Sequence, residues 1–274
     1  MQFCINCYNT RMATILQYFV LILAGYLSGV GVNFIVEWFY LRRKFLSDDC
    51  EVEIQDLGWR RFLVWPFSSS SCPTAHKIRI ILVEIIFVFL TMWLWINPPE
   101  RVEFWWGFPV LIYFAIVVVM DVEYRVVLHP ISLAGVVLGS IVGVYRHGLL
   151  ITFVGGIIGF TIMYVLYKFG ELFMRWVNRR RGDQIDEVAL GFGDVNMAGV
   201  VGLFLGWPPI ILGLLFAIFS GGGFSILFVI VSLFLRKFRA FAALPYAPFL
   251  ALAALLMLFF PNEVALWITP LSSP

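Results

Sequence analysis

Two aspartates, Asp121 and Asp194, stand at the edges of long apolar stretches, and the second closes the sequence Gly191-Phe192-Gly193-Asp194. A carboxylate beside hydrocarbon costs about 3 kcal/mol or more to bury, so an acid in this setting is a candidate functional residue. Two carboxyl groups that lie close together cannot both ionise easily, so they share a proton. The ionised group can then activate water while the protonated one donates to a substrate carbonyl. This pair therefore predicts hydrolysis of an amide bond without a metal or a covalent nucleophile.

The glycines beside Asp194 have a mechanical interpretation. Glycine permits an open, non-helical backbone and the close approach of a second chain, so at Gly191 and Gly193 a substrate could pair as an added strand beside the acid. A second interpretation stays open: the glycines ease helix packing and Asp194 caps the helix that follows. For Asp121 the corresponding alternative is a solvated charge at a membrane interface.

The composition is that of an integral membrane protein. The chain is 61% hydrophobic and 13% charged, whereas soluble domains have about 45 to 50% apolar and about 25% charged residues. The lipid bilayer is therefore its expected surroundings. The formal net charge of +2 gives no support for nucleic-acid binding.

Apolar stretches bounded by charge or proline predict an all-α fold, a polytopic transmembrane bundle of about eight helices. The predicted helices span residues 14–40, 78–96, 104–121, 130–145, 149–174, 194–206, 209–235 and 244–260. Three parts follow from this pattern. They are an N-terminal segment with the first helix (1–40), a cytoplasmic loop (41–77) and a transmembrane catalytic helical domain (78–274).

The basic residues predict the orientation of these helices. If the N-terminus lies outside, only Arg11, Arg101 and Arg146 of the 19 Lys and Arg residues fall on the outer side. Cytoplasmic loops carry an excess of Lys and Arg, so we expect a multi-pass protein of the inner, cytoplasmic membrane with its N-terminus outside. This topology puts Asp121 at the end of the third helix and Asp194 at the start of the sixth, both at the cytoplasmic face.

The cysteines predict neither a disulfide framework nor a zinc site of four thiolates. Cys4 and Cys7 precede the first helix, whereas Cys50 and Cys72 follow it, so the two pairs are expected on opposite faces of the membrane. We expect no metal site and no cofactor.

At these residues the chain resembles the type IV prepilin peptidases, membrane aspartyl proteases of the Gly-x-Gly-Asp class that are related to preflagellin peptidases. The stretch from Gly191 to Ala198, followed by Gly206-Trp207-Pro208, is similar to the second catalytic motif of that family, and Asp121 to Pro130 resembles the first. Further similar segments, taken in chain order, are Gly29 with Asn33, Val83-Glu84, and Leu244-Pro245-Tyr246-Ala247-Pro248-Phe249.

The resemblance implies an aspartic endopeptidase that removes the basic leader from prepilin or pseudopilin precursors at the cytoplasmic membrane face, in type IV pilus assembly or protein secretion. It implies that Asp121 and Asp194 are the catalytic pair and that Gly191 and Gly193 shape the active-site backbone. It also makes Glu84 a candidate for substrate binding. A lone acid within a helix is equally well explained by a hydrogen bond to a neighbouring helix.

Three features of the sequence depart from the family pattern. Many bacterial members have two Cys-x-x-Cys pairs in the first cytoplasmic loop and also methylate the new N-terminus, but this loop contains only Cys50 and Cys72. This argues against a zinc site and leaves N-methyl transfer in doubt. Asn196 replaces a customary lysine. His129 precedes Pro130 where an aliphatic residue is common, and we interpret it as an interfacial histidine.

Two functions of other classes stay open on the sequence. A non-catalytic membrane subunit of a pilus or secretion assembly would tolerate asparagine at positions 121 and 194. A proton-coupled transporter also needs acids within helices, but here the acids cluster at one face and no repeated pair of broken helices lies at mid-depth.

Overall fold

The computed structural model describes residues 2–42, 74–99, 102–181, 191–234 and 245–268. These ranges contain helices and connecting segments and no strand, which confirms the predicted all-α fold. The helices are α1 Gln2–Arg42, α2 Thr74–Ile96, α3 Phe104–Tyr124, α4 His129–His147, α5 Leu149–Arg181, α6 Phe192–Leu205, α7 Pro209–Phe234, α8 Ala247–Phe259 and α9 Pro261–Ile268. Most of the predicted loop at 41–77, with Cys50 and Cys72, lies outside the described ranges, as does Leu244.

Six of these helices, α1 to α5 and α7, are long and apolar enough to cross a membrane. α6 has 14 residues and α8 has 13. At about 1.5 Å per residue each rises about 20 Å, which is less than the roughly 30 Å of a hydrocarbon core. The chain is therefore a multi-pass membrane protein. Two of the eight predicted crossing helices are, however, too short to be full spans.

Several helix boundaries differ from the predicted ones. α1 begins at Gln2 and α5 runs on to Arg181, because helical hydrogen bonds continue through polar residues that end an apolar stretch. α6 begins at Phe192, two residues before the predicted start. The eight-residue helix α9 is not predicted, since it is shorter than the apolar length that marks a crossing helix.

The described residues group into two compact units. The first comprises residues 1–98 with 107–116, and within it α1 packs along α2. A Cβ on Gly29 would lie 2.7 Å from the Glu84 backbone, so small residues allow this close contact. Glu37 and Arg79 form an ion pair of 3.1 Å, and Asn33 donates to the Ile80 carbonyl at 3.2 Å. These polar contacts fix the register of the two helices.

The second unit comprises residues 99–106 with 117–274, and α6 is its central helix. α6 packs against α4, α5, α7 and α8. Ten of its 14 residues are buried, which suits a helix that is apolar on every face. The short α6 is therefore held by protein on several sides.

The C-terminal end of α6 is anchored at the turn between α4 and α5. The Phe204 carbonyl accepts a hydrogen bond from Arg146 at 3.2 Å, and the His147 ring nitrogen Nε2 lies 3.2 Å from the same oxygen. The Trp207 amide donates to the Ile151 carbonyl at 3.2 Å. Basic side chains at a helix C-terminus satisfy its last carbonyls. This anchoring leaves the N-terminus of α6, with Asp194, at the opposite end of the helix.

The contact between α5 and α6 depends on Gly202. A Cβ added there would overlap the Gly155 carbonyl oxygen and lie 2.9 Å from the Gly156 Cα atom. Because these are backbone atoms, they cannot rotate away, and overpacking of this kind costs about 1 to 3 kcal/mol. We expect Gly202→Ala to lower the midpoint of thermal unfolding in detergent by about 5 °C.

Gly223→Ala is the matched control, because it adds the same methyl group to a helical glycine with no neighbouring atom within 4 Å. Its unfolding midpoint should equal or exceed that of the wild type, since alanine favours the helix. Equal midpoints for the two variants would contradict the packing role of Gly202.

Candidate active site

Asp121 lies in the last turn of α3 and is 5% exposed. Its backbone carbonyl accepts a hydrogen bond of 2.9 Å from the Arg125 amide, and Arg125 ends the helix in the left-handed conformation (φ 52°, ψ 36°). A left-handed residue at this position turns the chain away from the helix axis. The short connection 125–128 then leads into α4 beside the carboxyl group.

Asp194 lies in the first turn of α6 and is 9% exposed. Gly191 occupies the N-cap position with extended backbone (φ −76°, ψ 146°), and the Asp194 amide donates to the Gly191 carbonyl at 3.1 Å. Gly191, not Asp194, is therefore the N-cap residue, and the Asp194 carboxyl group interacts with the Gly191 backbone from within the first turn. Asp194 is the third residue of the helix, where the amide dipoles favour a negative charge.

The two glycines of the motif differ in conformation. Gly191 is extended, as the open-backbone hypothesis requires, but Gly193 is helical, so that hypothesis is wrong for Gly193. Its small size serves a close contact, because a Cβ there would lie 2.9 Å from the Cβ of Val127. The connection after α3 thus touches the first turn of α6 directly.

The structure brings the two aspartates together in the second unit. The charge of Asp121 acts on Asp194, so the carboxyl groups lie within electrostatic range of each other. The Asp121 Oδ2 atom also accepts a hydrogen bond of 3.0 Å from the amide of Ala247, the first residue of α8. The first amides of a helix have no partner within it and bind anions well. The site therefore joins the end of α3 to the N-termini of α6 and α8.

Two further groups affect the electrostatics of this pair. The exposed guanidinium of Arg125 acts on Asp121 as an opposite charge. Burial, with the negative charge of Asp194 as a second cause, raises the pKa of the Tyr246 phenol far above its usual range. Tyr246 precedes Ala247, so adjacent residues of one segment interact with each of the two acids.

No role was predicted for the segment that contains Tyr246 and Ala247. Pro248 could have indicated that a helix begins here, because it lies in the first turn of α8, where proline is favoured. Because a helix begins near residue 247, the Ala247 amide has no partner within that helix and can bind an anion. Val127 was also missed, because its contact with Gly193 is a tertiary one.

The other candidate residues lie elsewhere. Glu84 belongs to the first unit, where it is 6% exposed and lies at the contact with α1, against Gly29. This placement suits a bond between neighbouring helices. His129 is exposed at the start of α4, and Asn196 is half-buried within α6. Within the described residues, no group of three His, Cys, Asp or Glu side chains could hold a metal ion.

A comparison with protein-family models matches residues 105–226 to the type IV leader peptidase family. The matched stretch begins in α3 and ends in α7, so it includes both aspartates and both glycines of the site. Searches of the curated proteins and of the solved structures found no match.

Proposed function

We propose that this chain is an aspartic endopeptidase with Asp121 and Asp194 as its catalytic pair, on the premise that its residues 105–226 match the type IV leader peptidase family. The family match supports a membrane-embedded peptidase that acts on a peptide substrate. The proposal adds the catalytic type, the residues and the class of substrate.

One observation carries the assignment of the pair. Asp121 and Asp194 come from separate helices, are both buried and lie within electrostatic range of each other. Two buried like charges are costly unless one of them is protonated. The pair therefore titrates as a unit with one shared proton, which is the protonation state that water activation by two carboxyl groups requires.

The proposed reaction needs the two carboxyl groups and one water molecule. The ionised carboxylate takes a proton from water as the water oxygen attacks the scissile carbonyl carbon. The protonated carboxyl group gives its proton to the carbonyl oxygen, which yields a neutral tetrahedral intermediate. When the C–N bond breaks, the carboxyl group that took the proton from water gives it to the nitrogen, and the other carboxylate takes a proton from a hydroxyl group of the intermediate. A carboxylic acid and an amine then leave the site. The Asp pair returns to its initial state.

The backbone around Gly191 supports an extended peptide as the substrate. A Cβ on Gly191 would meet only the Oδ2 atom of Asp194 at 3.5 Å and the Gly193 amide nitrogen at 3.9 Å, so the space beside this residue is open within the described ranges. Extended backbone next to open space suits pairing with an added strand. Proteolysis needs this conformation, because a closed helix would hide the scissile bond.

We further propose that the substrate is the basic leader of prepilin-like or pseudopilin-like precursors, cut at the cytoplasmic face of the inner membrane just before their hydrophobic helix. The distribution of Lys and Arg in the sequence supports this orientation of the site. The family description supports a leader peptide as the cleaved segment.

The test combines the purified protein in detergent with a pilin-like precursor that carries a basic leader. We expect one cut between the leader and the hydrophobic helix, identified by sequencing the new N-terminus. Cleavage should continue in the presence of a metal chelator, since the proposed reaction uses carboxyl groups alone. If inserted, folded protein leaves every such precursor intact while binding it, the peptidase proposal fails and the non-catalytic assembly subunit is favoured.

A further inference from the structure

Tyr246 stands next to the residue that binds Asp121, and its ring packs against two helices. Tyr246 occupies the N-cap position of α8, and the next residue, Ala247, donates its amide proton to Asp121. A Cβ on Gly221 of α7 would lie 3.0 Å from the Tyr246 Cε2 atom, so the ring packs directly on the backbone of α7. The Phe249 ring lies on another side, with centroids 6.4 Å apart. Contacts with two helices therefore fix where the phenol points.

The hydroxyl group of Tyr246 is buried and has no hydrogen-bond partner among the described residues. A phenol O–H that has lost water without gaining an acceptor is unfavourable, and such groups are rare unless they have a function. Gly221 and Phe249, which pack on the ring, carry no side-chain acceptor. The Tyr246 hydroxyl is therefore a buried hydrogen-bond donor without an acceptor among the described residues.

Asp194 is the acceptor that this position offers. α8 packs against α6, which carries Asp194 in its first turn, and the charge of Asp194 acts on the phenol. Hydrogen bonds from a phenol to a carboxylate are charge-assisted and stronger than those between neutral groups.

We propose that the Tyr246 hydroxyl is a positioning group of this site, which donates a hydrogen bond to the Asp194 carboxylate when a peptide is bound and so holds that carboxylate toward the water it exchanges protons with. The catalytic consequence rests on the proposed peptidase function. The proximity of the hydroxyl to Asp194 does not, and it is testable without any substrate.

The first experiment measures the proximity of the hydroxyl to Asp194. A trifluorotyrosine placed at position 246, which ionises at lower pH than tyrosine, is titrated by its fluorine NMR signal in the wild type and in Asp194→Asn. A neighbouring negative charge raises the pKa of a phenol, so its removal should move the titration at least about one unit to lower pH. A titration that does not move would overturn the proposal whether or not the protein is a peptidase.

The second experiment measures the consequence. Tyr246→Phe removes only the hydroxyl oxygen, and we expect kcat for leader removal to fall about tenfold while KM stays within about twofold. Tyr145→Phe is the matched control, because this tyrosine is 61% exposed on α4 and takes no part in the site. It should leave both constants unchanged.

A merely structural role would instead lower the unfolding midpoint of Tyr246→Phe and leave kcat per folded molecule unchanged, and that result would overturn the positioning role. If the wild type cleaves no precursor, the peptidase function fails by itself, and the fluorine titration alone decides whether the hydroxyl lies beside Asp194.

Discussion

Replacing Asp121 or Asp194 by asparagine is expected to lower kcat for leader removal by about a thousandfold or more. Asparagine keeps the volume of the side chain but neither takes a proton from water nor shares one with its neighbour. Because the two carboxyl groups act as a unit, the double variant should lose little more than either single variant. The measurement is the rate of precursor cleavage at saturating substrate in detergent.

We expect both asparagine variants to fold. The amide oxygen of asparagine at position 121 still accepts the hydrogen bond that Ala247 donates to Asp121. Removal of a buried acid also relieves its desolvation cost, so the unfolding midpoint should not fall. Glu171→Gln is a control for the change from acid to amide, since Glu171 pairs with Lys168 on the surface of α5. Full cleavage by Asp121→Asn or Asp194→Asn would rule out the two-aspartate mechanism.

The second large effect is expected for Gly193→Ala, which should lower kcat about a hundredfold. The added Cβ would lie 2.9 Å from the Cβ of Val127, a contact that real Cβ atoms do not make. Either the first turn of α6 or the connection after Asp121 must therefore move, and with it one carboxyl group relative to the other. A displacement of about 1 Å at a reacting group can cost a hundredfold in rate. The measurement is kcat at saturating precursor.

Two further variants separate this explanation from a general loss of stability. Val127→Gly removes the opposing Cβ, so in combination with Gly193→Ala it should restore much of the rate. Gly191→Ala meets no atom closer than 3.5 Å, so its kcat should change less than about threefold, while KM rises if the substrate strand lies there. Failure of Val127→Gly to restore any activity would contradict the contact as the cause.

The candidate catalytic residues could be selected from the sequence because the cost of an acid beside hydrocarbon is a local property. Asp121 and Asp194 follow or precede long apolar stretches, and the end of one helix and the start of another on the same side of a membrane share one depth. The position of Asp194 within its helix was less predictable. Gly191 as the cap and Phe192 as the first helical residue shift the start by two positions, and helix ends are often uncertain by this amount.

The sequence by itself determined that this is a polytopic helical membrane protein with two acids at helix ends, since composition and apolar length depend on consecutive residues. Only the tertiary structure decided that the Ala247 amide binds Asp121, that Gly193 touches Val127, and that the charge of Asp194 acts on the Tyr246 phenol. The physical reason lies in the central helix. α6 is apolar on every face, so no amphipathic pattern indicates which neighbour each face meets. Its partners are selected by close packing around small residues and by a few polar contacts between residues far apart in the chain.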